Sequence, residues 1–141
     1  MSQEVVYDDI NFPKHYNNHE SGIESIEITR YLIGDLSNIW KYAMRYQHKG
    51  TPKKDLKKLV FYMDDFLTHF YLKENRLDLK FIVPVDVLRK MGVVIEKEPV
   101  KEIKKVFEIV YNICYTNNIP SVDYYNNIKN GVNEYLKTFN N

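Results

Sequence analysis

The chain has 141 residues, of which 44% are hydrophobic, and it carries 20 lysine and arginine residues against 19 acidic ones. This is the composition of a globular domain, and a net charge of +1 argues against general nucleic-acid binding driven by bulk electrostatics. The single cysteine excludes an internal disulfide framework and a cysteine-rich zinc site.

No targeting or membrane signal is visible in the sequence. The first residues, Met1 to Glu4, do not lead into the apolar stretch of a secretory signal. No apolar run approaches the ~20 residues that a membrane-spanning helix needs. We therefore expect a cytoplasmic protein without membrane contact, organised as a single domain over residues 1–141. Cys114 lies in an apolar run and is interpreted as a small buried hydrophobic residue.

The first predicted helix follows an extended arm over residues 1–20. Ser21 and Glu24 form the S-x-x-E pattern of a capping box, in which each side chain satisfies a free N–H group of the first turn. This pattern predicts a helix that begins at Ser21, and Gly34 is the residue that can end it.

Two further helices are predicted before residue 76. The second runs from Asp35, as N-cap, to Lys49, with Gly50 as its stop. The third begins at Pro52, because proline is tolerated at the first helical position, and reaches about Asn75. Its apolar residues recur at three- and four-residue spacing, as in a helix that faces a core: Leu56, Leu59, Val60, Met63, Phe66, Leu67 and Phe70.

The pattern changes after residue 75. Residues 77–83 and 93–95 favour two short strands, which would form a small β-hairpin between about 77 and 95. Residues 85–91 between them favour one or two helical turns, closed by Gly92.

Two more helices are predicted near the end of the chain. One runs from Pro99 to about Asn117, ahead of Pro120. The other is capped by Ser121 and continues toward residue 136. The predicted fold is mainly α, a helical bundle-like domain in which residues 76–141 form a helical C-terminal extension.

One side of the second helix is a candidate binding surface. Its polar side consists of Ser37, Asn38, Lys41, Arg45, His48 and Lys49. Lys41 and Arg45 are four residues apart, so their head groups lie together. The planar fork of arginine and the point charge of lysine both suit a phosphate group. The alternative is an ordinary solvated helix face.

Several enzyme classes find no support in the sequence. No G-x-x-x-x-G-K-[ST] phosphate loop and no G-x-S-x-G nucleophile motif is present. Glu24 and Glu27 have the E-x-x-E spacing of all-α nucleoside triphosphate pyrophosphohydrolases, but a second E-x-x-D cluster is missing. The histidines are not spaced as metal ligands, and we expect neither a metal nor a cofactor.

Four segments carry a resemblance to a known family. Residues 13–16 read P-K-H-Y, residues 22–27 read G-I-E-S-I-E, residues 38–45 contain N-x-x-K-Y-x-x-R, and residues 55–62 contain D-L-x-K with a final tyrosine. In this order and spacing the chain resembles the SaV-like family of phage proteins, a domain of unknown function. That family includes a deoxynucleotide monophosphate kinase without a P-loop.

The resemblance implies a nucleotide-binding helical core over residues 13–75. The implied nucleotide-binding residues are Lys14, His15, Tyr16, Asn38, Lys41, Tyr42, Arg45, Lys49 and Asp55. Asp55 would orient Lys41 or Arg45 from across a helix pair. We expect Arg45→Ala to leave folding nearly intact, on the view that its cation is exposed.

The implied function is that of a phage-type nucleotide-binding protein in an infected bacterial cell. One form is a metal-independent deoxynucleoside monophosphate kinase, in which Lys41, Arg45 and Lys49 neutralise the transferring phosphoryl group. Another is a non-catalytic sponge that sequesters nucleotide-derived immune signals, and a third is contact with a host abortive-infection factor. We also expect a homo-oligomer, because the aromatic side chains Phe61, Phe70 and Tyr71 would remain partly uncovered.

Overall fold

The computed structural model describes residues 19–71, 83–116 and 118–140, and these parts of the chain form six α-helices and no strand. The helices are α1 (Ile26–Thr29), α2 (Gly34–Arg45), α3 (Pro52–Phe66), α4 (Val85–Lys97), α5 (Lys101–Thr116) and α6 (Val122–Leu136). A π-helical turn, Leu67–Tyr71, continues α3. The predicted mainly α, bundle-like fold class is confirmed.

Four of the helices close into a ring. The short connection after α2 turns the chain back, so that α3 runs antiparallel to it. Helices α5 and α6 form a second pair, in which α5 packs on α2 and α6 packs on α3. Helix α4 covers α5, and α1 lies against α2 and α4. This arrangement places the apolar side of each helix toward one common core.

Aromatic side chains connect the two helix pairs. The ring of Trp40 on α2 lies 4.5 Å from that of Phe107 on α5, and both residues are fully buried. The Oη of Tyr125 on α6 donates a 2.7 Å hydrogen bond to the backbone oxygen of Met63 on α3. These contacts fix how the α2–α3 pair sits on the rest of the core.

The predicted apolar stripe of α3 is present. Leu56, Leu59 and Met63 are buried, and Phe66 stacks on Phe70 with ring centroids 5.0 Å apart. Phe70 packs against the core but is only half-buried, so it remains partly uncovered, as the oligomer prediction assumed. Phe61 is exposed as expected, with 62% of its surface accessible. The side chain of Tyr71, and the predicted end of this helix near residue 75, lie outside the described residues.

The first helix is much shorter than predicted. Ser21 does not cap a helix, because its Oγ accepts the N–H of Ile23 in a tight turn. The reciprocal bond of a capping box lies further along the chain, where Glu27 Oε2 accepts the Glu24 N–H at 2.8 Å. Helix α1 consequently begins only at Ile26, the first residue after this turn.

The boundaries of α2 also differ from the prediction. Gly34 begins this helix and does not end the one before it. The helix ends at Arg45, and the His48 N–H donates to the Arg45 backbone oxygen in a turn that leads to Gly50. Gly50 is confirmed as a stop residue, because its φ of +78° belongs to the left-handed region that glycine adopts without steric cost.

The prediction of a second strand for the β-hairpin is wrong. Residues 93–95 belong to α4, which runs on through Gly92 to Lys97. Val87, Met91 and Val94 are buried at the three- and four-residue spacing of a helix that faces a core. Most of the other predicted strand, residues 77–82, lies outside the described residues.

The last two predicted helices are confirmed. Helix α5 occupies Lys101–Thr116, and its buried residues include Cys114, as the apolar run predicted. Burial raises the pKa of the Cys114 thiol to about 12. Ser121 caps α6 by accepting the Tyr124 N–H at 3.2 Å. Within the described ranges, no helix is both long and apolar enough to cross a membrane.

Candidate functional site

A group of cations gathers where the end of α2 meets the start of α3. Lys41 and Arg45 are one helical turn apart on α2, and Lys49 follows in the turn after it. The antiparallel course of α3 places Lys58 opposite them. We call Lys41, Arg45, Lys49 and Lys58 the cationic cluster.

The ring of Tyr42 lies at the centre of the cationic cluster. Lys41 Nζ, Arg45 Cζ and Lys58 Nζ lie 5.5, 5.6 and 5.4 Å from its centroid. Distances of this size allow cation–π attraction, which offsets part of the repulsion among the cations. Tyr42 is 8% exposed and stacks on Tyr62 at 5.8 Å, so its ring holds the cations and offers little surface to a ligand.

Burial and then electrostatic crowding lower the pKa of two lysines in the cluster. Burial lowers the pKa of Lys41 first, and the positive charges of Arg45, Lys49 and Lys58 add to the effect. The pKa of Lys49 is lowered by loss of hydration and then by Arg45. A bound anion would relieve this repulsion, so the local field favours anion binding.

Arg45 faces a buried carboxylate. Its Nε lies 4.0 Å from Asp55 Oδ2, and the two side chains are 16% and 3% exposed. Neither atom has a hydrogen-bond partner within the described residues. The predicted placement of Asp55 beside a cluster cation is therefore found, whereas the view of Arg45 as an exposed cation is wrong. Asp55 thus lies beside one edge of the guanidinium.

Lys41 also lines a small cavity between α1 and α2. The cavity has a volume of about 120 Å³, and its other lining residues are Ser25, Ile26 and Thr29. Ser25 is buried, and its Oγ has no hydrogen-bond partner among the described residues. Ser25 and Lys41 thus line the same recess beside the cluster.

The remaining predicted site residues are placed differently. Asn38 is half-buried on α2, and its amide donates a long 3.5 Å bond to the Gly34 backbone oxygen. It lies on the same helix side as Lys41 but is not part of the group around Tyr42. Three further predicted residues, Lys14, His15 and Tyr16, lie outside the described residues.

His48 does not share the side of α2 on which it was predicted, because α2 ends before it. Its pKa is lowered by burial and then by the neighbouring His19, while Glu20 and Glu98 oppose the shift. These neighbours place His48 on the far side of the turn, away from the cationic cluster. Its Nε2 is buried without a hydrogen-bond partner in the described part of the chain.

Sequence reasoning missed two residues of this site, Lys58 and Tyr62. Both belong to the segment of residues 55–62, which contains D-L-x-K and a final tyrosine, and they are four residues apart on α3. That spacing puts them on one helix side. Only the packing of α3 against α2 shows that this side meets Tyr42.

A second polar group lies on the opposite side of the α2–α3 turn. His19 Nε2 lies 3.3 Å from Glu98 Oε1, and both residues are buried. His19 Nδ1 accepts the Ser21 N–H at 3.1 Å, and Glu98 Oε2 accepts the Val100 N–H at 3.0 Å. We call His19, Ser21 and Glu98 the polar clamp, because they tie the segment before α1 to the start of α5.

The polar clamp has the residue types of a hydroxyl–imidazole–carboxylate triad, but its hydrogen bonds are structural. Ser21 Oγ lies 2.8 Å from His19 Nδ1 and also accepts the Ile23 N–H. The Nδ1 lone pair is shared with a backbone N–H and is not reserved for the hydroxyl. The chemistry of the molecule therefore points to the cationic cluster.

The acidic residues at the other end of the α2–α3 pair form a carboxyl pair. Partial burial and a hydrogen bond with Asp65 raise the pKa of Asp35 to about 7. Asp65 also lies 3.5 Å from His69, one turn further along. In the described residues, however, no three His, Cys, Asp or Glu side chains are arranged to hold a metal ion.

The family comparison covers this part of the chain. A family model described as a protein of unknown function, DUF3310, matches residues 10–64. The matched range includes α1, α2 and most of α3, and thus every residue of the cationic cluster. No curated protein and no solved structure matches the chain. Residues 10–64 are thus similar to DUF3310, a family of unknown function.

Proposed function

We propose that the protein binds the phosphate group of a nucleotide at the cationic cluster. The observation that carries this proposal is the gathering of three cations within 5.6 Å of the Tyr42 ring. Within the described residues, only Arg45 among the cluster residues has a carboxylate within ion-pair distance. Such a group, held close by packing with one carboxylate against four cations, suits an anionic ligand.

The types of cation favour phosphate over a simple monovalent anion. Since its Nε faces Asp55, Arg45 can direct its outer N–H groups at two oxygens of the same phosphate. Lys41, Lys49 and Lys58 supply point charges from other directions. The Ser25 hydroxyl lies in the same recess as Lys41 and adds a neutral donor.

A nucleotide is the proposed carrier of that phosphate because of the family resemblance. The segments that resemble the SaV-like family include Asn38 to Arg45 and Asp55 to Tyr62, which contain most of the cationic cluster. A phage-type nucleotide-binding protein is the function that the resemblance and the cluster both support. A sponge that only sequesters nucleotides needs no more than this binding.

Phosphoryl transfer between nucleotides is a second candidate, favoured by the amount of charge. The four cluster cations, set against the carboxylate of Asp55, leave a surplus of three positive charges. A single phosphate monoester carries about two negative charges at most. The surplus suits two phosphate groups, as when a nucleoside triphosphate passes its γ-phosphoryl group to a deoxynucleoside monophosphate, giving a diphosphate from each.

A nucleotide panel analysed by mass spectrometry tests both candidates. The protein is incubated with nucleoside mono-, di- and triphosphates, and both bound and chemically changed nucleotides are identified. We expect at least one nucleotide to bind, and Lys41→Ala/Lys58→Ala to bind it at least about tenfold more weakly. Lys101→Ala/Lys105→Ala, two exposed lysines of α5, is the matched control.

The outcomes of the panel separate the candidates. Nucleotide diphosphates formed only when a triphosphate and a monophosphate are both present would establish the kinase. Binding without chemical change would establish the sponge. Equal affinity in the cluster variant and in the α5 control would refute the proposal.

Two predicted partners stay predictions. Self-association is tested by light scattering, in which a mass near 16.9 kDa at micromolar concentration would rule out the oligomer. Contact with a host abortive-infection factor is tested by co-purification of the two proteins, with nucleotide present and absent.

A further inference from the structure

An open groove with a volume of about 550 Å³ runs along the outer side of α3. Its lining residues are Lys53, Lys54, Lys57, Lys58, Phe61 and Asn140. The five residues from α3 follow one another at alternating distances of one and three positions. They therefore form one side of the first three helical turns. A volume of this size lies within the usual range of small-molecule sites.

The lysines of this groove are not compensated by nearby acids. Among the described residues, no carboxylate lies within ion-pair distance of Lys53, Lys54, Lys57 or Lys58. Lysines one turn apart on a helix repel each other mildly. The groove is also electrostatically continuous with the cationic cluster, because Lys58 belongs to both.

Phe61 gives the groove an exposed aromatic ring. Its ring lies edge-on to Tyr62 at 5.2 Å, and Tyr62 in turn stacks on Tyr42. The three rings form a row that starts in the buried centre of the cationic cluster and ends in the groove. A single exposed phenylalanine is common on protein surfaces. Here it lies among lysines in a concave site, where a ring can stack on a base while the cations contact phosphates.

We infer that the groove along α3 binds a second nucleotide, whose base stacks on Phe61 and whose phosphates contact Lys53, Lys54 and Lys57. Lys58 would lie between the two nucleotides and contact both. This inference rests on the proposed nucleotide binding at the cationic cluster and deepens it. Only Lys58 is shared by the two sites, so variants that leave Lys58 unchanged test each site alone.

A nucleotide is favoured over a nucleic-acid strand by size and by charge. From Lys53 to Phe61 the helix rises by about 12 Å, a length that one nucleotide with its phosphates can span. The net charge of +1 on the whole chain provides little attraction for a longer polyanion.

The inference is tested by counting bound nucleotides on the full chain. Equilibrium dialysis with ATP and dAMP, separately and together, gives the number of bound molecules and their affinities. We expect two nucleotides per chain at saturation. Phe61→Ala should weaken the binding of one of them at least about fivefold, because base stacking on an aromatic ring contributes that much.

Matched variants identify which site each nucleotide occupies. Lys53→Ala/Lys57→Ala should act like Phe61→Ala, whereas Lys41→Ala should weaken only the other nucleotide. The controls are Tyr115→Ala, which removes an aromatic side chain of α5 that is 66% exposed, and Lys101→Ala/Lys105→Ala. Circular dichroism melting of each variant verifies that it is folded.

The number of bound nucleotides and the variants that lose them show whether the groove, the cluster or both bind a nucleotide. One bound nucleotide that is insensitive to Phe61→Ala but lost in Lys41→Ala would overturn the groove inference and leave the cluster proposal standing. One bound nucleotide lost only in the groove variants would support the groove and refute the cluster. Tighter binding of an eight-nucleotide single strand than of either mononucleotide would overturn the inference in favour of a nucleic-acid surface.

Discussion

The polar clamp and the cationic cluster lie on opposite sides of the turn between α2 and α3, and they use charged residues in opposite ways. In the clamp, His19 and Glu98 are buried and hydrogen-bonded to each other and to backbone groups. In the cluster, like charges are held together around Tyr42, with one carboxylate at 4.0 Å from Arg45.

The difference separates structural polar residues from functional ones. A buried charge with its partners in place holds two segments of the chain together, and its loss lowers stability. A group of cations without partners contributes little to stability and leaves its charge for a ligand. Variants of the polar clamp should therefore lower stability, whereas variants of the cationic cluster should lower ligand affinity.

The largest expected effect is on stability, from Glu98→Ala in the polar clamp. The substitution leaves His19 buried without its partner and removes the acceptor of the Val100 N–H at the start of α5. We expect a loss of about 3 kcal/mol in the free energy of unfolding, measured with urea. Glu96→Ala, at an exposed position two residues earlier, is the control. Equal stability of the two variants would show that the clamp holds nothing together.

Arg45→Ala should lower both stability and nucleotide affinity, because this residue belongs to the cluster and also faces a buried carboxylate. We expect a loss of about 2 kcal/mol in stability, since Asp55 remains buried without its nearest counter-charge. Adding Asp55→Asn should restore part of that loss, whereas nucleotide affinity should stay low in both variants. A double-mutant cycle without coupling between the two residues would contradict this.

Lys49→Ala should reduce nucleotide affinity while leaving stability unchanged within about 0.5 kcal/mol, because the residue is exposed. The expected loss of affinity is about 1 kcal/mol, and it should shrink as salt is added. Calorimetric titration beside Lys105→Ala, an exposed lysine of α5, measures the difference. A loss of affinity that does not depend on salt would contradict a charge interaction between Lys49 and the nucleotide.

The smallest effect concerns the carboxyl pair at the far end of α2 and α3. The pKa of Asp35 is raised from 3.8 to about 7, so the folded state binds this proton more tightly than the unfolded chain does. The resulting stabilisation is complete below pH 3.8 and is lost as the pH rises through about 7. Asp35→Asn should therefore stabilise the protein above about pH 7, by at most about 1 kcal/mol because the side chain is partly solvated.

Urea unfolding of Asp35→Asn and Asp65→Asn across this pH window checks the assignment. Both variants should flatten the same part of the stability curve, because each removes one member of the pair. Glu96→Gln, at an exposed position outside the pair, should keep the slope of the parent protein. A parent curve without a slope between about pH 4 and pH 7 would show that the carboxyl groups are not coupled.

Local signals in the sequence were enough to predict much of the fold. The cap at Ser121, the stop at Gly50 and the apolar stripe of α3 each depend on residues within one or two helical turns. The cationic side of α2 follows from the same helical spacing, since Lys41 and Arg45 are four residues apart.

Only the tertiary structure decided which other residues join Lys41 and Arg45 in the site. Residues 93–95 have strand-like composition, yet burial against α5 favours their place in α4. Lys58 and Tyr62 join the cluster because α3 runs antiparallel to α2, and Arg45 is half-buried against Asp55, which lies across the same interface. These contacts join residues 10 to 20 positions apart, and they depend on how helices pack, which no single turn of sequence encodes.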